Sequence, residues 1–208
     1  MPFAYYDRLS RASQRAYDQS DALPRVPLEV SAPRTALVAR LARALGRGQR
    51  RQTEQLSRGL CRDITDSLSM PPVRIRVLAA RPADDWGELQ GLYEPGEGRA
   101  WATLTVWMRT AQRKQVVAFR TYLRTLLHEL NHHLDYELFD LADSFHTEGF
   151  YKRESSMFHT LVAGLPDTLL GPGRRAKTAT KAKTPARASQ QQPQQLALSI
   201  SPRTRGRR

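Results

Sequence analysis

The chain has 208 residues, of which 40% are hydrophobic, and it carries a formal charge of +13 and a single cysteine, Cys61. One cysteine excludes an intramolecular disulfide and is typical of a reducing compartment, so we expect a cytoplasmic protein. The sequence lacks an apolar run of roughly 18 residues and a signal-peptide pattern, so no membrane partner is expected.

The first seventy residues form a predicted N-terminal helical region. Regularly spaced apolar side chains predict helices over residues 3–20, 35–45 and 50–68. Prolines at positions 24, 27 and 33 mark an extended connection between the first two helices, and Pro71 and Pro72 end the third. The pattern assigns no function to this region.

Three short strands are predicted next. Residues 73–78 alternate between polar and apolar side chains, as a half-buried strand does. Residues 89–93 form a second candidate strand, and residues 95–98 form a turn into a third, residues 100–107. These features predict an α+β fold in which a short three-stranded antiparallel sheet packs on helices.

A long helix is predicted over residues 111–139, because apolar side chains recur there every three to four positions. This helix contains His128, Glu129 and His132 in the order H-E-x-x-H. Positions four apart lie on the same face of a helix about one turn apart, so both imidazoles can reach one ion. Glu129 would then be the general base for a water activated by Zn²⁺.

The third metal ligand has two candidates. A catalytic zinc usually takes three protein ligands and leaves one position open. His146 follows the long helix in a polar, glycine-containing turn, and Glu154 lies on a second predicted helix, residues 151–161. His133 points about 100° away from His132 on the helix, so we expect it to be partly exposed.

Three further side chains could support this chemistry. Asp135, one turn beyond His132, could orient a ligand histidine or make an ordinary surface pair. Tyr136 and Tyr151 are candidates to stabilise an oxyanion, although packing is an alternative role for each. The five-residue motif can also match by chance, in which case these histidines are ordinary core or surface residues.

Two segments around the motif carry a family resemblance. Residues 146–150, His-Thr-Glu-Gly-Phe, place an aromatic residue four positions after a histidine, and residues 101–107 look like a strand ahead of the motif helix. Over residues 73–162 the chain resembles the SprT-like zinc metallopeptidase domain. The resemblance implies a minimal zincin-like domain with His146 as the third ligand. It also implies substrates that are proteins on DNA.

The positive charge is concentrated in a tail, residues 171–208, which has ten Lys or Arg and no Asp or Glu. Its low complexity predicts disorder. Basic side chains that neutralise phosphates give nonspecific, salt-sensitive binding to nucleic acid, whereas the alternative is a solubilising tail. The candidate nucleic-acid-binding residues are Arg174, Arg175, Lys177, Lys181, Lys183 and Arg187.

The sequence therefore predicts three regions: N-terminal helices (1–70), a SprT-like zincin metallopeptidase domain (71–170) and the basic tail (171–208). The expected function is zinc-dependent hydrolysis of peptide bonds in proteins near or on DNA. The alternative is a nucleic-acid-binding or interaction protein whose zincin-like domain is catalytically inactive. The presence of Glu129 favours the enzyme, because a domain kept only for its structure needs no general base.

Overall fold

The computed structural model describes residues 3–84, 87–88, 90–98 and 100–171, with backbone alone at 83–84 and 87–88. Beyond Gly171, the predicted tail lies outside the described residues. The same holds for its candidate nucleic-acid-binding residues Arg174, Arg175, Lys177, Lys181, Lys183 and Arg187. The described residues form an α+β fold, as predicted.

The N-terminal region is helical, but its first helix is shorter than predicted. A 3-10 turn at Tyr6–Arg8 precedes helix α1, Arg11–Asp21, because Leu9 and Ser10 adopt extended backbone conformations. The Ser10 hydroxyl then accepts a hydrogen bond from the Ser13 amide at 3.1 Å and caps the new helix. Helices α2, Ala32–Gly46, and α3, Arg50–Ser67, match the predicted segments closely.

The main sheet is mixed, so the prediction of an antiparallel sheet was wrong. Its strands are β1 (Arg74–Ala80), β4 (Gly91–Glu94) and β5 (Thr103–Arg109), in the order β1-β5-β4. Strand β5 pairs parallel with β1 and antiparallel with β4. Strands β2 (Ala83–Asp84) and β3 (Gly87–Glu88) form a separate two-residue antiparallel pair.

The central position of β5 explains this topology. Its five interior residues, 104–108, are all buried, so both of its faces are covered. A strand buried on both faces is stabilised best between two neighbours, and β5 therefore inserts between β1 and β4. Alternation in the sequence indicates which residues share a face, but it does not determine the order or direction of the strands.

Helix α4, Phe119–Glu137, carries the H-E-x-x-H residues but begins eight residues later than predicted. Residues 110–117 instead fold back along the end of β5, where the Val117 amide donates to the Met108 carbonyl at 2.9 Å. Lys114 takes a positive φ of 53° in this turn. Backbone pairing with the sheet thus replaces the first two predicted helical turns.

The chain closes with α5, Glu148–Val162, and α6, Asp167–Leu170. One buried apolar cluster combines side chains of α2, α3, the sheet, α4, α5 and α6, and it extends from Val26 to Leu170. Helix α4 contacts β4, β5 and α5, which places its polar residues between the edge of the sheet and the 145–149 segment. Among the described helices, none combines the length and apolarity needed to cross a membrane.

Candidate metal centre

Three histidine side chains converge between α4 and the segment before α5. The Nε2 atom of His146 lies 3.0 Å from Nε2 of His128 and 3.1 Å from Nε2 of His132. The three ligand atoms all lie within 4.8 Å of one another, a spacing that could hold a metal ion. The structure therefore brings His146, from outside the helix, to the two histidines of the motif.

The spacing of these nitrogens fits a tetrahedral metal ion. Zinc binds histidine at about 2.0–2.1 Å, so two ligand nitrogens of a tetrahedral site are separated by about 3.3 Å. The separations of His146 Nε2 from the other two Nε2 atoms, 3.0 and 3.1 Å, fall slightly below that value. A small outward movement of the rings would admit the ion.

A hydrogen-bonded chain fixes the tautomer of His132. The Ser144 hydroxyl lies 2.6 Å from Oδ2 of Asp135 and 2.7 Å from Nδ1 of His132. A carboxylate only accepts, so Ser144 gives its one proton to Asp135 and must accept from Nδ1–H of His132. The Nε2 atom of His132 is then unprotonated and presents its lone pair to the cluster.

Glu154 fixes His128 in the same way. Its Oε2 atom lies 3.2 Å from Nδ1 of His128, and its Oε1 atom accepts from Arg124 at 3.1 Å. The carboxylate therefore holds Nδ1–H, which leaves the lone pair of His128 Nε2 directed at the cluster. Glu154, the alternative candidate for the third ligand, thus contacts Nδ1 of His128 on the side away from the cluster, while His146 meets the two Nε2 atoms.

These tautomers give a physical reason to expect a cation. Two unprotonated Nε2 atoms, on His128 and His132, lie about 3 Å from a single Nε2 of His146. His146 can direct at most one proton from that atom, so at least one of the two lone pairs is left without a full hydrogen bond. A metal ion between the three nitrogens would satisfy all of them at once.

The surroundings of His132 and His146 favour the neutral imidazole, which is the form that binds a metal. Burial and the neighbouring His128 lower the pKa of His146 to about 4. Burial, with the nearby His128, His146 and Arg153, lowers the pKa of His132 well below its ordinary value. Phe150 is fully buried beneath the site, with its ring centroid 4.8–5.0 Å from all three imidazole centroids.

Glu129 lies beside the cluster on α4 and is 3% exposed. The pKa of its carboxyl is raised to about 7, mainly because the group is buried. The neighbouring His128 opposes this rise, and Glu154 adds to it. Strand β4 approaches this side chain closely: a Cβ added to Gly91 would lie 2.6 Å from Cγ of Glu129 and 2.8 Å from Cδ. Only glycine leaves room for the observed position of the Glu129 carboxylate.

His133 was predicted to be partly exposed, but it is 1% exposed. Its Nδ1 lies 3.1 Å from the Tyr93 hydroxyl, and its Nε2 lies 3.0 Å from the Pro71 carbonyl. His133 therefore connects α4 to the sheet and to the start of β1. It lies outside the histidine cluster because α4 directs it to the sheet side.

The two candidate tyrosines occupy different surroundings. The ring of Tyr151, which is 45% exposed, lies 5.9 Å from the His146 ring between centroids. The ring of Tyr136 stacks on Tyr93 at 6.0 Å. Tyr151 therefore lines the open side of the cluster, whereas Tyr136 packs beside strand β4.

Sequence reasoning missed two residues that support the site. Arg153 donates to Asp135 Oδ1 at 2.6 Å and is fully buried. Burial raises the pKa of Asp135 to about 6, while Arg153 and Ser144 lower it. Arg153 lies among the apolar residues that α5 buries, Phe150, Met157 and Phe158, and an arginine in such a stripe indicates a buried partner. Ser144 gave no comparable signal, since a serine in a polar turn is common.

Asp135 reaches His132 through one intervening side chain. The sequence suggested that this carboxylate could orient a histidine, and the structure places Ser144 between Asp135 and His132. The side chain of Asp135 is fully buried with Arg153, so an ordinary surface pair is excluded.

Comparisons with protein-family models, with curated proteins and with solved structures found no match to this chain.

Proposed function

We propose that this protein is a zinc-dependent metallopeptidase with a zincin-like domain of the SprT type. The observation that carries the proposal is the convergence of three Nε2 atoms, from His128, His132 and His146, beside Glu129 on the same helix. A site of three histidine ligands leaves a fourth tetrahedral position for water or substrate, which is typical of catalytic zinc.

Each residue of the site has a proposed role in peptide hydrolysis. When bound, zinc would lower the pKa of a water molecule to near 7 and polarise the peptide carbonyl. Ser144 and Glu154 would hold the Nδ1 protons of His132 and His128, so that both imidazoles keep their orientation. A carboxylate oxygen of Glu129 would accept the proton of the attacking water and transfer it to the leaving amine. The Tyr151 hydroxyl is the proposed donor to the developing oxyanion.

The proposed substrates are proteins located near or on DNA. The support is the charge of residues 171–208, whose ten basic side chains would attach the enzyme to phosphate backbones without sequence preference. Cytoplasmic localisation belongs to the same proposal, with association to DNA.

The decisive experiment measures bound zinc and casein cleavage for the wild-type protein and for Glu129→Gln. We expect about one zinc per chain in both proteins and loss of cleavage in the variant, because Gln cannot accept the proton. Glu97→Gln is the matched control, since Glu97 lies exposed in the turn between β4 and β5. A wild-type protein that lacks zinc, or a variant that cleaves normally, would contradict the proposal.

A separate experiment tests the tail. A chain that ends at Gly171 should lose most of its affinity for duplex DNA at low salt, while its zinc content and casein cleavage stay unchanged. Equal DNA affinity with and without the tail would reject nucleic-acid binding through it. Zinc binding without cleavage, combined with tail-dependent DNA binding, would instead favour the inactive interaction protein.

A further inference from the structure

Residues 3–23, which we call the N-terminal clamp, contact the segment that carries His146. The Tyr5 hydroxyl donates to the His146 carbonyl at 3.4 Å, and the Tyr17 ring lies 6.1 Å from the Phe145 ring. The hydroxyls of Ser20 and Thr147 lie 3.3 Å apart. Contacts thus reach His146 and both of its neighbours in the chain.

The end of α1 also holds the start of α5. The Gly149 amide donates to Oδ1 of Asp21 at 2.8 Å. The two backbones meet so closely that a Cβ on Gly149 would lie 2.5 Å from the Asp21 carbonyl oxygen. Since Gly149 is three residues after His146, this contact fixes the direction in which the chain leaves the metal ligand.

Arg153, on α5, connects the N-terminal clamp to the other side of the site. Its Nη1 donates to the carbonyls of Ser20 and Leu23, each at 2.6 Å, and its Nη2 donates to the Ser20 hydroxyl at 3.0 Å. The same Nη2 lies 2.6 Å from Asp135 Oδ1. One guanidinium group thus donates to two carbonyls of the N-terminal clamp and to the Asp135 carboxylate.

A continuous chain of hydrogen bonds therefore joins the N-terminal clamp to His132, whose Nε2 belongs to the histidine cluster. It runs from the Ser20 and Leu23 carbonyls through Arg153 and Asp135 to Ser144, and Ser144 accepts from Nδ1–H of His132. The guanidinium and the carboxylate are both fully buried, so neither can replace a lost partner with water. A displacement of α1 would consequently disturb the orientation of His132.

We propose that the N-terminal clamp is part of the metal centre: it positions His146 through the 145–149 segment and His132 through Arg153, Asp135 and Ser144. This inference rests on the metal site of the proposed function and adds that metal binding and docking of α1 are coupled. Coupling of this kind is reciprocal, so the metal must stabilise the docked clamp as much as the clamp strengthens metal binding.

The first experiment titrates the full-length, metal-free protein with Co²⁺ and records affinity and the visible absorption spectrum. The test variant is Ser20→Ala/Asp21→Ala, which removes contacts to Arg153, Thr147 and Gly149. We expect its Co²⁺ affinity to fall about tenfold or more, as for loss of other groups that orient ligands. Gln19→Ala is the matched control, because Gln19 lies on the exposed face of α1.

A second variant separates the two routes. Ser144→Ala breaks the link to His132 but leaves the Asp21–Gly149 contact intact. In this background, Ser20→Ala should lose the part of its effect on Co²⁺ affinity that passes through Arg153 and keep only the part that passes through Thr147, whereas Asp21→Ala should keep its full effect. If Ser20→Ala lowers Co²⁺ affinity equally in the wild-type and Ser144→Ala backgrounds, the route through Arg153 is wrong.

The reciprocal measurement needs no substitution. Addition of Zn²⁺ to the wild-type protein should slow amide hydrogen exchange in residues 9–23, with little change in α3. The inference would be overturned if the double variant kept the Co²⁺ affinity and spectrum of the wild type. It would also be overturned if Zn²⁺ did not change the rate of amide hydrogen exchange in α1. Neither measurement uses peptide cleavage, so a coupled metal site without peptidase activity would reject the proposed function and leave this inference standing.

Discussion

The close contact between Gly91 and Glu129 gives the sharpest prediction about catalysis. In Gly91→Ala, the new Cβ would lie 2.6 Å from Cγ and 2.8 Å from Cδ of Glu129. Non-bonded carbon atoms prefer separations of about 3.5–4.0 Å, so the carboxylate must move by about 1 Å. A catalytic group misplaced by about 1 Å costs on the order of 100-fold in rate.

We therefore expect kcat for peptide cleavage to fall about 100-fold in Gly91→Ala, with Zn²⁺ affinity close to that of the wild type. The Zn²⁺ affinity is the informative measurement, because the three heavy atoms nearest to the added methyl group all belong to Glu129. A general loss of structure would lower both quantities together, and thermal unfolding would reveal it.

Gly46→Ala is the control, since a Cβ at Gly46 meets no heavy atom within 4 Å. It should retain wild-type cleavage and zinc content. Unchanged kcat in Gly91→Ala would refute the reasoning, because it would show either that the carboxylate tolerates the displacement or that Glu129 is not the base.

Three further predictions concern the site and the core. In Ser144→Ala, Zn²⁺ affinity measured by competition with a chelator should fall about 10–100-fold, since Nδ1–H of His132 loses its acceptor. An affinity equal to that of the Gln19→Ala control would contradict this. Addition of a chelator should lower the melting temperature, because a metal that binds only the folded chain stabilises it by mass action; an unchanged melting temperature in calorimetry would argue against a tight site. Burial raises the pKa of Cys61 from 9.0 to about 12, so the thiol should resist Ellman's reagent at pH 8 until the chain is unfolded. The unfolded thiol ionises above about pH 9 and the buried one does not, so this group's contribution to stability should decline as pH rises from 9 towards 12, as denaturant titrations would show.

The sequence predicted the helical parts of the fold better than the sheet. Helices α2 and α3 matched because their apolar periodicity also decides how they pack. The start of α4 was wrong because residues 110–117 pair with β5, and that long-range contact leaves no mark on local periodicity. The predicted strand directions were wrong for a related reason, since polar and apolar residues alternate in the same way in parallel and antiparallel pairs.

The histidine cluster was partly predictable because helical spacing is fixed by geometry, and His128 and His132 therefore share a face whatever surrounds them. His146 needed a turn of the right length and was one of two candidates. The roles of Ser144 and Arg153 depend on which segments meet in space, and residues 20, 135, 144 and 153 are scattered over the whole chain. Tertiary contacts of this kind cannot be read from one sequence.

The buried guanidinium of Arg153 has a consequence for shortened forms of this protein. A fragment that starts at residue 71 would lack the Ser20 and Leu23 carbonyls, which accept from Arg153 at 2.6 Å. The arginine would then lose acceptors in a place that water does not reach, and a buried donor without a partner costs about 1–3 kcal/mol, more when it is charged. Expression of such a fragment should therefore give insoluble or poorly folded material, and the expressed chain should begin ahead of Phe3.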